Sequence, residues 1–154
     1  MNINRSNYNI SVYLLPEAIL TVILGGLIYI IFRTDSLLMF RWFEQLQISD
    51  YVYKIRESGI FSFLGYNKTI INTVPGGLWA FSYTAFILLI WNMKITSHNI
   101  IYFIFIPAAG IVSEIFQLTG TIRGTFDYID IISYALGAGL PLLIHIRKIK
   151  FNLL

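Results

Sequence analysis

Four long stretches of this chain are built almost entirely from apolar side chains, a pattern that suits a bilayer as solvent. A helix crossing the hydrocarbon core needs about 20 mainly apolar residues. Residues 14–32 carry no charge from Ala18 to Phe32, with Pro16 and Glu17 suited to an opening helical turn. Residues 74–93 fall in a charge-free gap between Lys68 and Lys94. Pro75 stands where that helix is expected to begin, and Trp79 and Trp91 are placed as interfacial anchors. Residues 99–117 contain Pro107 and Gly110, a predicted kink, and Glu114 near their far end. Residues 128–146 are uncharged only from Ile131 onward, and their Gly137, Gly139 and Pro141 permit close helix packing. The expectation is one all-α integral membrane domain, a bundle of about four transmembrane helices.

Composition agrees with that reading. Charged residues make up 12% of the chain against about 25% in soluble domains, too few to coat a water-facing surface. The net charge of +3 has no Lys/Arg stripe to carry it, so membrane lipids and not nucleic acid are the expected partners. With no cysteine, disulfides, thiolate metal sites and cysteine nucleophiles are excluded. No small-x-small cleavage site follows Phe32, so the first apolar stretch is expected to be a retained span.

The connection from Arg33 to Thr73 is not a bland linker. In residues 37–48, LLMFRWFEQLQI, the apolar positions Leu37, Phe40, Phe43 and Leu46 recur near helical spacing around polar interruptions. An interfacial helix in the headgroup layer is predicted there. The following YVYKIRESGIFSFLGY is read either as a second interfacial element or as a segment packed back over the bundle. Four spans place both termini and the short Met93–His98 loop on one side. The Arg147, Lys148 and Lys150 cluster beside the last span assigns that side to the cytoplasm of a multi-pass protein in the cell membrane.

Chemistry concentrates between Ser113 and Gly139. Glu114 and Gln117 share one face of the third span, while Asp127, Asp130 and Tyr134 share one face of the fourth. Arg123 lies in the tight loop between them, flanked by Gly120 and Gly124. A short loop makes the two helices antiparallel neighbours, so their polar faces must meet at one membrane surface, with Trp79 of the second span as a floor. Ionisable groups at membrane depth are costly and point to function. Glu114, Asp127 and Asp130 are the candidate catalytic carboxylates; Arg123, Gln117, Tyr134 and Trp79 are the candidate ligand-binding residues. The competing reading is structural: Asp127 or Thr125 caps the fourth helix, Asp130 complements its dipole, and Arg123 pairs with Glu114.

The pattern Glu114, Gln117, Arg123, Asp127, Asp130, Gly137 and Gly139 resembles the VanZ-like membrane proteins over about thirty residues. It departs at Tyr134 or Ser133, where that family usually shows Asn. The founding member is associated with resistance to the glycopeptide teicoplanin, so the resemblance implies a cell-envelope role linked to antibiotic resistance. Three functions follow as expectations. One is binding of an anionic envelope, lipid-linked or glycopeptide-like ligand, with Arg123 serving the anion. Another is an enzyme acting on a lipid-linked or phosphorylated envelope substrate through the carboxylates. The third is a purely structural accessory subunit.

No cofactor is expected, Mg²⁺ held by Asp127, Asp130 and Glu114 being the alternative. His98 and His145 are expected at the opposite membrane face, away from the carboxylates. Glu17 is read as a first-turn dipole partner, and Ser82, Tyr83 and Thr84 as interhelical hydrogen-bonding groups.

Overall fold

The computed structural model describes residues 5–35, 37–59 and 67–153. Among them six helices run in chain order as α1 (Arg5–Phe32), α2 (Leu38–Gln45), α3 (Ser49–Glu57), α4 (Lys68–Ile90), α5 (Ile100–Leu118) and α6 (Tyr128–Ile144). Two three-residue strands, β1 (Lys94–Thr96) and β2 (Lys150–Asn152), pair in parallel. Three helices are long and apolar enough to cross a membrane, over Tyr13–Phe32, Ile71–Ile90 and Ile100–Leu118; α6 is apolar but shorter, at 17 residues.

Two helix starts differ from the sequence expectation. Pro16 and Glu17 lie inside α1, and Pro75 lies inside α4, which begins at Lys68. All four prolines of the chain are in fact helix-interior residues. A proline there forfeits one backbone hydrogen bond, a loss that membrane helices absorb through neighbouring helices and hydroxyl side chains. Proline is therefore a poor boundary marker in such a chain. The helix expected over residues 37–48 is also shorter: α2 stops at Gln45, Gln47 takes a positive φ of 57°, and α3 begins two residues later.

The core is built around α4. Half of its apolar window is buried, against 17% for α1 and 11% for α5, so α4 is central and α5 peripheral. The principal packings are α1 on α4, α4 on α6, and α5 on α6. Hydroxyl groups tie these helices at several levels, Ser82 donating to the Ala18 carbonyl at 2.7 Å and Tyr83 to the Tyr102 carbonyl at 2.6 Å. Thr84, expected to do the same, is fully buried with no hydrogen-bond partner for its hydroxyl among the described residues. α4 and α6 approach closely where Gly137 rests on the Gly77 carbonyl, leaving no room for a Cβ. Ser133 beside it donates to the Thr73 carbonyl at 3.0 Å. Small residues at such a crossing let backbones meet and gain dispersion contacts that lipid would otherwise supply.

One end of the bundle holds the main apolar cluster. Leu14, Ala18, Ala85, Leu88 and Phe103 pack there with Met93, Ile95 and Ile149 from the strand-bearing segments. Asn99, wholly buried, accepts the Thr96 N–H at 2.7 Å and donates to the Lys94 carbonyl at 2.9 Å, closing the turn that carries β1. Glu17, expected as a first-turn partner of the helix dipole, instead meets buried His145 at 2.9 Å and joins α1 to the end of α6. The other end of the bundle is polar.

Candidate functional site

The polar end is formed by the C-terminal ends of α1 and α5 and the N-terminal halves of α4 and α6. Together they enclose a cavity of about 520 Å³. The α5–α6 turn is fixed first. Gly120 and Gly124 take φ values of 70° and 152°, and a side chain on Gly124 would collide with Gln117, whose Cδ would lie 2.6 Å from the added Cβ. The turn thus folds flat over Gln117. Gln117 in turn donates from Nε2 to Glu114 Oε1 at 3.3 Å.

Glu114 is 3% exposed. Its second oxygen accepts the backbone N–H of Asp127 at 3.2 Å. Asp127 is the N-cap of α6 and accepts the Ile129 N–H on Oδ1 at 2.8 Å. These two carboxylates are engaged with the protein's own amides, as helix-end donors require. Asp130 is different. Its Oδ1 is buried, and it has no hydrogen-bond partner among the described residues.

Tyr134 enters the cavity from α6, its ring lodged between two helices. A Cβ on Gly76 of α4 would lie 2.8 Å from one ring carbon, and one on Gly110 of α5 would lie 2.9 Å from another. Gly110, expected at a kink, provides a slot for the ring. Trp79 occupies the α4 wall, accommodated by the missing side chain of Gly25, and its ring meets Tyr29 of α1 at 5.2 Å and 48°.

All seven residues singled out from sequence, Glu114, Gln117, Arg123, Asp127, Asp130, Tyr134 and Trp79, line this one cavity. The expected ion pair between Arg123 and Glu114 is not formed. Among the described residues Arg56 pairs with Asp35 and Glu17 hydrogen-bonds with His145, and Arg123 is exposed at the cavity rim. Glu114 needs no cation there because two N–H donors already satisfy it. Among the described residues no three His, Asp or Glu side chains converge as a metal-binding group.

Sequence reasoning missed Arg33, Tyr29, Leu37 and Asn72 on the same walls. Arg33 sits with its guanidinium carbon 5.2 Å from the Tyr29 ring centre, and its Nε is buried without a partner among the described residues. Its backbone is held from outside the cavity. Arg56 of α3 donates to the carbonyls of Ile31 and Arg33 and pairs with Asp35, so one guanidinium caps the end of α1. The signal was present in the sequence expectation of four spans, which puts the Arg33 end of the first on the same side as the far end of the third. The spacing of four between Tyr29 and Arg33 puts both on one helix face.

The chain matches no protein-family model, no curated protein and no solved structure. What the fold defines is a mostly helical protein with three helices fit to cross a membrane.

Proposed function

We propose that this is a multi-pass cell-membrane protein of four spans whose polar cavity holds the anionic group of an envelope or lipid-linked ligand. The reading of α6 as a fourth span is supported by its packing along α4 and by its ends. Asp127 and Asp130 lie at one end, His145 and Arg147 at the other. Its 17 residues reach about 25 Å, near the hydrocarbon thickness. With Lys94, Arg147, Lys148 and Lys150 on the cytoplasmic side, the cavity faces outward.

The observation that carries the function is the Nε of Arg33, buried and without a partner among the described residues, on a cavity that also holds Arg123. A buried guanidinium N–H left unpaired is costly, and a phosphate or carboxylate oxygen is its natural partner. The VanZ-like resemblance gives the ligand its setting, the bacterial envelope, with glycopeptide resistance as the associated phenotype. A second reading, an enzyme for a lipid-linked or phosphorylated substrate, is favoured by Asp130, the carboxylate with a buried oxygen that has no partner among the described residues and is available as a base.

Titration of the detergent-solubilised protein with a polyprenyl phosphate, followed by emission from Trp79 in a Trp42→Phe, Trp91→Phe background, tests the first reading. The Arg33→Gln, Arg123→Gln double variant is expected to weaken binding at least tenfold. Equal binding by the variant and the parent chain overturns it.

A further inference from the structure

We infer that the cavity's ligand is a phosphoester carrying a primary ammonium group, presented by a membrane lipid; this rests on the anion-binding role proposed above for Arg33. The walls carry two guanidiniums, Arg33 and Arg123, and three carboxylates, Glu114, Asp127 and Asp130. A ligand bearing only negative charge would sit among more carboxylates than cations. Glu114 and Asp127 are taken up by the Asp127 and Ile129 amides, whereas Asp130 Oδ1 and Arg33 Nε are both buried and both unpartnered among the described residues. One is an acceptor and the other a donor. A single ligand that satisfies both must offer an anionic oxygen and an N–H or O–H donor together.

The donor is assigned to a primary ammonium for two reasons. A charged donor facing a carboxylate makes the stronger hydrogen bond. A quaternary ammonium has no N–H to give Asp130 and would need free aromatic faces instead. Two of the rings are engaged: Arg33 covers Tyr29, and Tyr134 is held between Gly76 and Gly110.

The lipid source follows from the helix order. The cavity is bounded by α1 on one side and α5 on the other, yet the principal packings run from α1 to α4, α4 to α6 and α6 to α5. Among the described residues no packing of that extent joins α1 to α5, which leaves a sideways entry to the cavity between two apolar helices. A headgroup can enter there while its chains stay in the hydrocarbon layer.

The experiment uses the whole chain in detergent and four probes: dioctanoyl phosphatidylethanolamine, the matching phosphatidylcholine, the matching phosphatidylglycerol, and free O-phosphoethanolamine. The ethanolamine lipid is expected to bind at least tenfold tighter than either other lipid and than the free headgroup. Asp130→Asn should erase its preference over phosphatidylcholine while leaving phosphatidylglycerol binding unreduced. Arg33→Lys should weaken all three lipids alike, with the melting midpoint of each variant recorded as the folding control. Phosphatidylglycerol binding as tightly as the ethanolamine lipid, with Asp130→Asn without effect, overturns the ammonium assignment and leaves the anion site standing. Free phosphoethanolamine binding as tightly as its lipid overturns the membrane source. Binding of every probe unchanged by Arg33→Lys overturns this inference and the anion-site reading together.

Discussion

Glu114 on α5 accepts the backbone N–H of Asp127, the N-cap residue of α6, at 3.2 Å, so a side chain of one helix closes the end of the next. Glu114→Ala should therefore act on stability before it acts on binding. It strands a backbone donor and the Gln117 amide in a partly buried turn, a loss on the order of 1–3 kcal/mol. Arg123→Ala should leave the melting midpoint in detergent unchanged, because Arg123 makes no ion pair among the described residues. Equal destabilisation by the two variants would show that a guanidinium–carboxylate pair holds the turn after all.

Tyr134 depends on two missing side chains. An alanine at Gly76 or at Gly110 would press on its ring, and an alanine at Gly137 would press on the Gly77 carbonyl. Each of these substitutions should cost on the order of 1–3 kcal/mol through overpacking. Gly139→Ala is the control, since nothing lies within 4 Å of the position its Cβ would take. Thermal melting of the four variants side by side reads the difference, and a loss at Gly139 equal to the others would contradict the packing described.

The polar cluster was legible because α5 and α6 are joined by a turn too short to allow anything but antiparallel neighbours. Spacings of three and seven then decide which residues share a face. Arg33 was not found by that route, as its helix is separated from α4 by a long connection that fixes no neighbour. Pro16 and Pro75 misled for a different reason. Proline marks helix starts in water, where an unmade hydrogen bond goes to solvent, but these helices run through their prolines. Likewise β1 and β2 left no trace, because three residues carry no usable alternation and their pairing joins segments 56 positions apart, as in Lys94 with Lys150.

His145 is buried at the end opposite the cavity, and its Nε2 lies 2.9 Å from Glu17 Oε2. Because this contact joins α1 to the end of α6, the two residues should be energetically coupled. A double-mutant cycle with Glu17→Ala and His145→Ala is expected to show a coupling of about 0.5–3 kcal/mol in detergent melting. Strict additivity would mean that the helices meet there by apolar packing alone.

The four-span arrangement is tested by the absence of cysteine from the chain, which makes single introduced thiols unambiguous. Ser58 and Thr121 lie at the cavity end, Ser97 at the strand end, and all three are exposed. Ser58 follows α3, which is held to the end of α1 by Arg56; Thr121 lies in the α5–α6 turn; Ser97 lies between β1 and α5. In intact cells a membrane-impermeant maleimide should label Ser58→Cys and Thr121→Cys. With the strand end in the cytoplasm, as proposed, it should reach Ser97→Cys only after permeabilisation. Reversal of all three would keep four spans and turn the cavity inward. Labelling of Ser97→Cys and Thr121→Cys from the same side would mean that α5 does not cross, and the cavity would then have no membrane face at which to receive a lipid.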